Sequence, residues 1–122
     1  MMAKKPLILA VERNRNNILL LDKYLGEEGY EVIGATGYER LDEILEKPGE
    51  LDLALVDITG FDKLIWDRCE ILRSNGIPFL LISPRQSVEL QKESIARGAR
   101  GLLTKPIIIR ELLVLIQSLI EE

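Results

Sequence analysis

The chain contains no histidine and a single cysteine. Without an imidazole, the acid–base and nucleophilic chemistries that draw on histidine have no general base. A lone cysteine, Cys69, can close no internal disulfide, which fits a reduced, cytoplasmic compartment. It lies between Ile65 and Leu72 at helical spacing and reads as a small buried apolar residue. Long apolar runs are missing too: the basic start, Met1 to Lys5, is followed only by Leu7 to Val11 before Glu12 and Arg13, too little for a signal peptide or a membrane span. There is no basic stripe. The 20 acids and 16 bases are scattered and leave a net charge of −4, which argues against direct contact with DNA or RNA. No glycine-rich phosphate loop follows the first apolar run, where the text is Val11-Glu12-Arg13-Asn14-Arg15, and this weighs against a flavin- or nucleotide-binding enzyme. Internal repeats, low-complexity tracts and linkers are absent.

What is present is a regular alternation. The 122 residues, 47% hydrophobic, suit one domain with a single core, from 1 to 122, with no room for an attached output domain. Five short apolar runs read as strands: Leu7 to Val11, Tyr30 to Ala35, Leu51 to Val56, Phe79 to Ile82 and Gly101 to Leu103. Between and after them, apolar residues recur at helical spacing. The sets are Ile18, Leu21 and Leu25; Leu41, Ile44 and Leu45; Leu64, Ile65, Cys69 and Leu72; Val88, Leu90 and Ile95; and a last helix from Ile107 to Ile120. Connections this short permit only right-handed crossovers, so the pattern predicts a doubly wound parallel sheet covered on both faces, a flavodoxin-like (βα)5 fold with strand order 2-1-3-4-5.

In such sheets the chemistry sits at the carboxyl ends of the strands. Asp57 ends the third run and is followed by Thr59 and Gly60; Glu12 and Arg13 close the first, Ser83 the fourth, and Lys105 with Pro106 the fifth. A carboxylate beside a lysine and a hydroxyl, with a further acid near, suits phosphoryl chemistry: the carboxylate is the nucleophile and the donors hold the phosphoryl oxygens. Each residue also has a plainer reading. Ser83-Pro84-Arg85-Gln86 has the form of a helix start, with serine at the cap and proline at the first helical position. Lys105-Pro106 is a helix entry, and Asp57 a strand-end acid capping a turn.

Taken together, these segments resemble the receiver domain of two-component response regulators along essentially the whole chain. Val11-Glu12-Arg13-Asn14 is similar to the family's acidic pair, Leu53 to Ile58 to its phosphoacceptor segment, Ile82-Ser83 to its threonine or serine step, and Thr104-Lys105-Pro106 to its lysine and following proline. The spacings from Glu12 to Asp57 and from Ser83 to Lys105 are those of the family. The resemblance implies a signalling module rather than an enzyme, one that at most catalyses its own phosphorylation and dephosphorylation. Asp57 would take a phosphoryl group from a histidine kinase or phosphotransfer protein, with Ser83 and Lys105 binding the phosphoryl oxygens. Magnesium would be held by Glu12 through water, by Asp57 and by the backbone carbonyl of Thr59. It further implies a homodimer or target face on helix 4, strand 5 and helix 5, and the wide apolar arc of the last helix, with Ile107, Ile108, Val114 and Leu115 beyond its core face, suits such a surface.

The chain departs from the family at four places. Arg13 stands where the second acid, a direct magnesium ligand, is expected; a guanidinium has no acceptor and repels a cation, so a normal magnesium site is not expected. Arg13 either reaches across to Asp57, as an ion pair or as part of the missing metal charge, or points to solvent. The segment after Asp57, Ile58-Thr59-Gly60-Phe61-Asp62-Lys63, lacks the usual methionine-proline turn, Leu102 replaces an aromatic residue that changes rotamer on phosphorylation, and Pro84 replaces a small residue. These departures raise an alternative: a phosphorylation-independent pseudo-receiver that acts by binding a partner.

Overall fold

The computed structural model describes residues 4–121; the first three residues of the basic start and Glu122 lie outside them. Ten elements alternate strictly: β1 (Leu7–Val11), α1 (Arg15–Glu27), β2 (Glu31–Ala35), α2 (Tyr38–Glu46), β3 (Leu51–Asp57), α3 (Ile65–Ser74), β4 (Phe79–Ser83), α4 (Val88–Ala96), β5 (Gly101–Thr104) and α5 (Ile109–Ile120). All strand pairs are parallel, in the order β2-β1-β3-β4-β5. The expected order and fold class are those observed. No helix among the described residues is long and apolar enough to cross a membrane.

The sheet is apolar on both faces because successive side chains alternate between them. Ile8, Leu53, Leu55, Leu80 and Ile82 pack on one side with Leu25 of α1 and Leu112 and Ile116 of α5. Leu9, Val11, Ala54, Val56, Phe79 and Leu81 pack on the other with Leu41 and Leu45 of α2 and Ile65, Cys69 and Leu72 of α3. Cys69 is fully buried there and burial pushes its thiol up to about 12, as expected of a core residue.

Three sequence expectations change here. The helix start read at Ser83-Pro84 lies four residues later: Ser87 is the N-cap of α4, and its hydroxyl accepts from the Leu90 N–H. α4 also turns differently. Val88 and Ile95, expected on its core face, are 65% and 72% exposed, while Ser94 is buried with its hydroxyl donating to the Gln91 carbonyl. Leu64, expected on the inner face of α3, is the residue before that helix and is half exposed.

Candidate functional site

The alternation that builds the core also aims the site. In β3, Asp57 continues the row of Leu53 and Leu55, toward α1 and α5. In β1, Glu12 extends the row of Ile8 and keeps the strand ladder by donating its N–H to the Ala35 carbonyl. Val11 is in register with Val56, so Glu12 and Asp57 stand side by side at the carboxyl ends of adjacent strands. Both are buried, at 5% and 3% exposure.

Each carboxylate has its own donors. Asp57 Oδ2 is paired with Lys105 Nζ at 2.5 Å, and Oδ1 accepts from the Thr59 N–H at 2.9 Å. Lys105, just past the end of β5, also donates to Thr59 Oγ1 at 3.2 Å, and the Lys105–Pro106 bond is cis. Glu12 Oε1 accepts from Asn17 Nδ2 at 2.9 Å and from the Asn14 N–H at 3.2 Å. Burial raises the Glu12 carboxyl above its ordinary value, and the neighbouring Asp57 carboxylate raises it further. Burial works against ionisation of Asp57 as well, but hydrogen bonds from Glu12, Lys105 and Thr59 outweigh it and hold Asp57 below the ordinary carboxylate value. The result is a pair in which Asp57 carries the charge and Glu12 retains the proton more readily.

Glu12, Asp57, Thr59 and Lys105 are therefore brought together. Ser83 is not: it is buried, it follows the Phe79 and Leu81 row, and its hydroxyl donates to the Arg85 carbonyl at 2.7 Å. The reading of Asp57 as a turn cap also holds in part, since Thr59 N–H is the group it caps.

Arg13 does not pair with Asp57 in this structure. One residue past Glu12, it falls on the opposite side of the alternation and lies over the Phe61 ring, 5.2 Å from the centroid. Phe61 packs at a tilt against Tyr38, with ring centroids 5.3 Å apart, and Arg68 covers the Tyr38 ring at 4.3 Å while making a bidentate pair with Asp42. Tyr38 donates to Asp62 at 2.6 Å, which ties the loop after Asp57 to α2.

Above the carboxylates a cavity of about 610 Å³ opens between α1 and α5. Leu20, Leu21 and Tyr24 form one wall, Pro106, Ile107 and Ile109 the other, with Asp57 and Lys105 also lining it. Sequence reasoning missed this cavity, and it missed Asn17 as a partner of Glu12. The signal for Asn17 was Asn14, whose side chain caps α1 by accepting from the Asn16 N–H and so sets Asn17 in the first turn, facing the strand ends.

No family model matches the chain. It is 34% identical over 119 residues to the probable transcriptional regulatory protein SilR of Salmonella typhimurium, a match covering 93% of this chain and 50% of SilR. The transcriptional regulatory protein CusR of Escherichia coli K12 is 32% identical over 119 residues, again 93% of this chain and 50% of the relative. The chain thus spans about half the length of the curated relatives it matches. Among solved structures, the CheY-like response regulator receiver domain protein of Methanospirillum hungatei JF-1 superposes with a TM-score of 0.85 at 25% identity, covering 97% of this chain and 95% of that one.

Proposed function

We propose that this chain, which belongs to the receiver domains of response regulators, accepts a phosphoryl group on Asp57 and passes the signal on through protein contacts. One observation carries the reading: a buried carboxylate paired with the Lys105 ammonium where a cavity gives it a way in from solvent. An Asp57 oxygen attacks the phosphorus of a phosphohistidine, the new O–P bond forms as the P–N bond breaks, and the imidazole leaves with the electron pair and takes up a proton. Lys105 then shares its charge with the phosphoryl oxygens; the Ser83 hydroxyl joins it only by giving up the Arg85 carbonyl and turning away from the Phe79 and Leu81 row. The donor is a histidine kinase or phosphotransfer protein, and the site is reached between α1 and α5, in the cytoplasm.

The magnesium ion used by the family does not fit this donor set well. Glu12 Oε1 already accepts twice, Asp57 is bonded through both oxygens, and Arg13 supplies no oxygen in place of an acid. Only Glu12, Asp57 and the Thr59 carbonyl remain to hold it, so no step is assigned to the metal. The phosphorylation-independent alternative is not favoured: Glu12, Asp57 and Lys105 are assembled, and the likeness to the regulatory relatives runs through 93% of the chain. The exposed Val88 and Ile95 on α4 and Val114 on α5 support a partner face, including a homodimer, along α4, β5 and α5.

The experiment is incubation with acetyl phosphate, with and without magnesium, followed by intact-mass measurement. The expected result is one phosphoryl adduct that is absent from Asp57→Asn; an adduct that persists in Asp57→Asn would place the modification elsewhere.

A further inference from the structure

We propose that Arg13 is the second cation of the phosphorylated site: its guanidinium leaves the Phe61 ring for the phosphoryl group on Asp57 and makes phosphorylation independent of a metal ion. This rests on Asp57 being the phosphoacceptor.

The charge at the site sets the need. Phosphorylation replaces a singly charged carboxylate with a group carrying close to two negative charges. Lys105 is the one cation that touches Asp57 among the described residues, and the adjoining group, Glu12, is another acid. A further positive group offsets the added charge, and Arg13 is next in sequence to Glu12.

Its present position leaves it ready to move. Arg13 is exposed and forms no ion pair among the described residues; its guanidinium rests on the face of Phe61. A cation on a partly exposed ring is held more weakly than one paired with a phosphate, so exchange favours the phosphoryl group. Arg13 also runs alongside Gly60, in the loop that follows Asp57. A Cβ at Gly60 would lie 3.4 Å from Arg13 Cγ, so no side chain stands between them. Phe61 in turn is braced by Tyr38, which gives the guanidinium a fixed platform beside the site. A planar guanidinium can bridge two phosphoryl oxygens, which a lysine ammonium does less well.

The test is a time course of acetyl phosphate labelling in EDTA and in magnesium, read by intact mass, for the native chain, Arg13→Ala, Arg13→Lys and Arg13→Asp. In the labelling step an Asp57 oxygen bonds to phosphorus as the bond from phosphorus to the acetyl oxygen breaks and acetate leaves. The native chain is expected to label in EDTA within about threefold of its rate in magnesium. Arg13→Ala is expected to lose about tenfold or more of the metal-free rate, the scale of one charge-assisted hydrogen bond. Arg13→Lys should recover part of it, and Arg13→Asp should label only with magnesium. The lifetime of the adduct in EDTA should fall in Arg13→Ala and recover in Arg13→Lys. A native chain that labels only with magnesium, at a rate Arg13→Ala leaves unchanged, overturns this role while Asp57 stands as acceptor. No adduct in any condition overturns the phosphoacceptor reading and this role with it.

Discussion

Glu12 and Asp57 face one another from the ends of β1 and β3 with their acidities displaced in opposite directions, Glu12 upward and Asp57 downward. The asymmetry comes from their donors. Asp57 has an ammonium at contact distance, whereas Glu12 has two neutral N–H groups and a negative neighbour.

This pair fixes a pH dependence. Glu12 binds its proton more tightly folded than unfolded, so its favourable contribution is complete below its ordinary value of 4.5 and is lost as pH rises through the raised folded value. Asp57 behaves oppositely, stabilising above its ordinary 3.8 and losing this only as pH falls through its lowered folded value. Glu12→Gln keeps an acceptor for Asn17 and removes the ionisation. Its urea midpoint is expected to exceed that of the native chain at pH 8, with the gap closing toward pH 4; a gap that widens on acidification would contradict this assignment.

The Tyr38 phenol, pushed up to about 12 by burial and by its hydrogen bond to Asp62, reports on the loop after Asp57. Its contribution to stability is intact below the ordinary value of 10 and is lost as pH rises through about 12. Near-ultraviolet absorbance should show a high-pH tyrosine transition that shrinks in Tyr38→Phe, where the other two tyrosines remain, and whose upper part moves down in Asp62→Asn.

Gly34 is where β2 meets α1. A Cβ there would lie 2.6 Å from Ile18 Cγ2, so Gly34→Ala forces the isoleucine aside. We expect a loss of about 1–3 kcal/mol in chemical unfolding, the range for overpacking. Adding Ile18→Ala should recover part of the lost midpoint.

Cys69 should be inert to a thiol reagent in the native chain and react fully in urea, because it is buried and its thiol sits at about 12. Rapid native labelling would place it outside the core.

Much of this was legible in the sequence because parallel strands announce themselves. Leu53 to Val56 is apolar at every position, which only a sheet covered on both faces requires, and the site residues close such runs. What stayed hidden depends on direction rather than position. Arg13 and Glu12 are neighbours in the text, yet strand alternation sends one toward Phe61 and the other toward Asp57. Ser83 looks like a helix cap, yet the helix begins after Ser87 and Ser83 turns its hydroxyl onto Arg85. On α4, Val88 and Ile95 sit seven residues apart like core residues, but the helix presents the small Ser94 to the interior and leaves them in solvent. The Tyr38–Asp62 and Arg68–Asp42 contacts join residues 24 and 26 apart, a separation no local pattern encodes.

Whether Asp57 carries the phosphoryl group is decided chemically. An acyl phosphate on a carboxylate is reduced by borohydride to the alcohol, so the labelled chain should be reduced, digested and sequenced by tandem mass spectrometry. Homoserine is expected at position 57, with Glu12 unmodified. Labelled protein that keeps an unreduced aspartate at position 57, with the alcohol at any other acid, would contradict it.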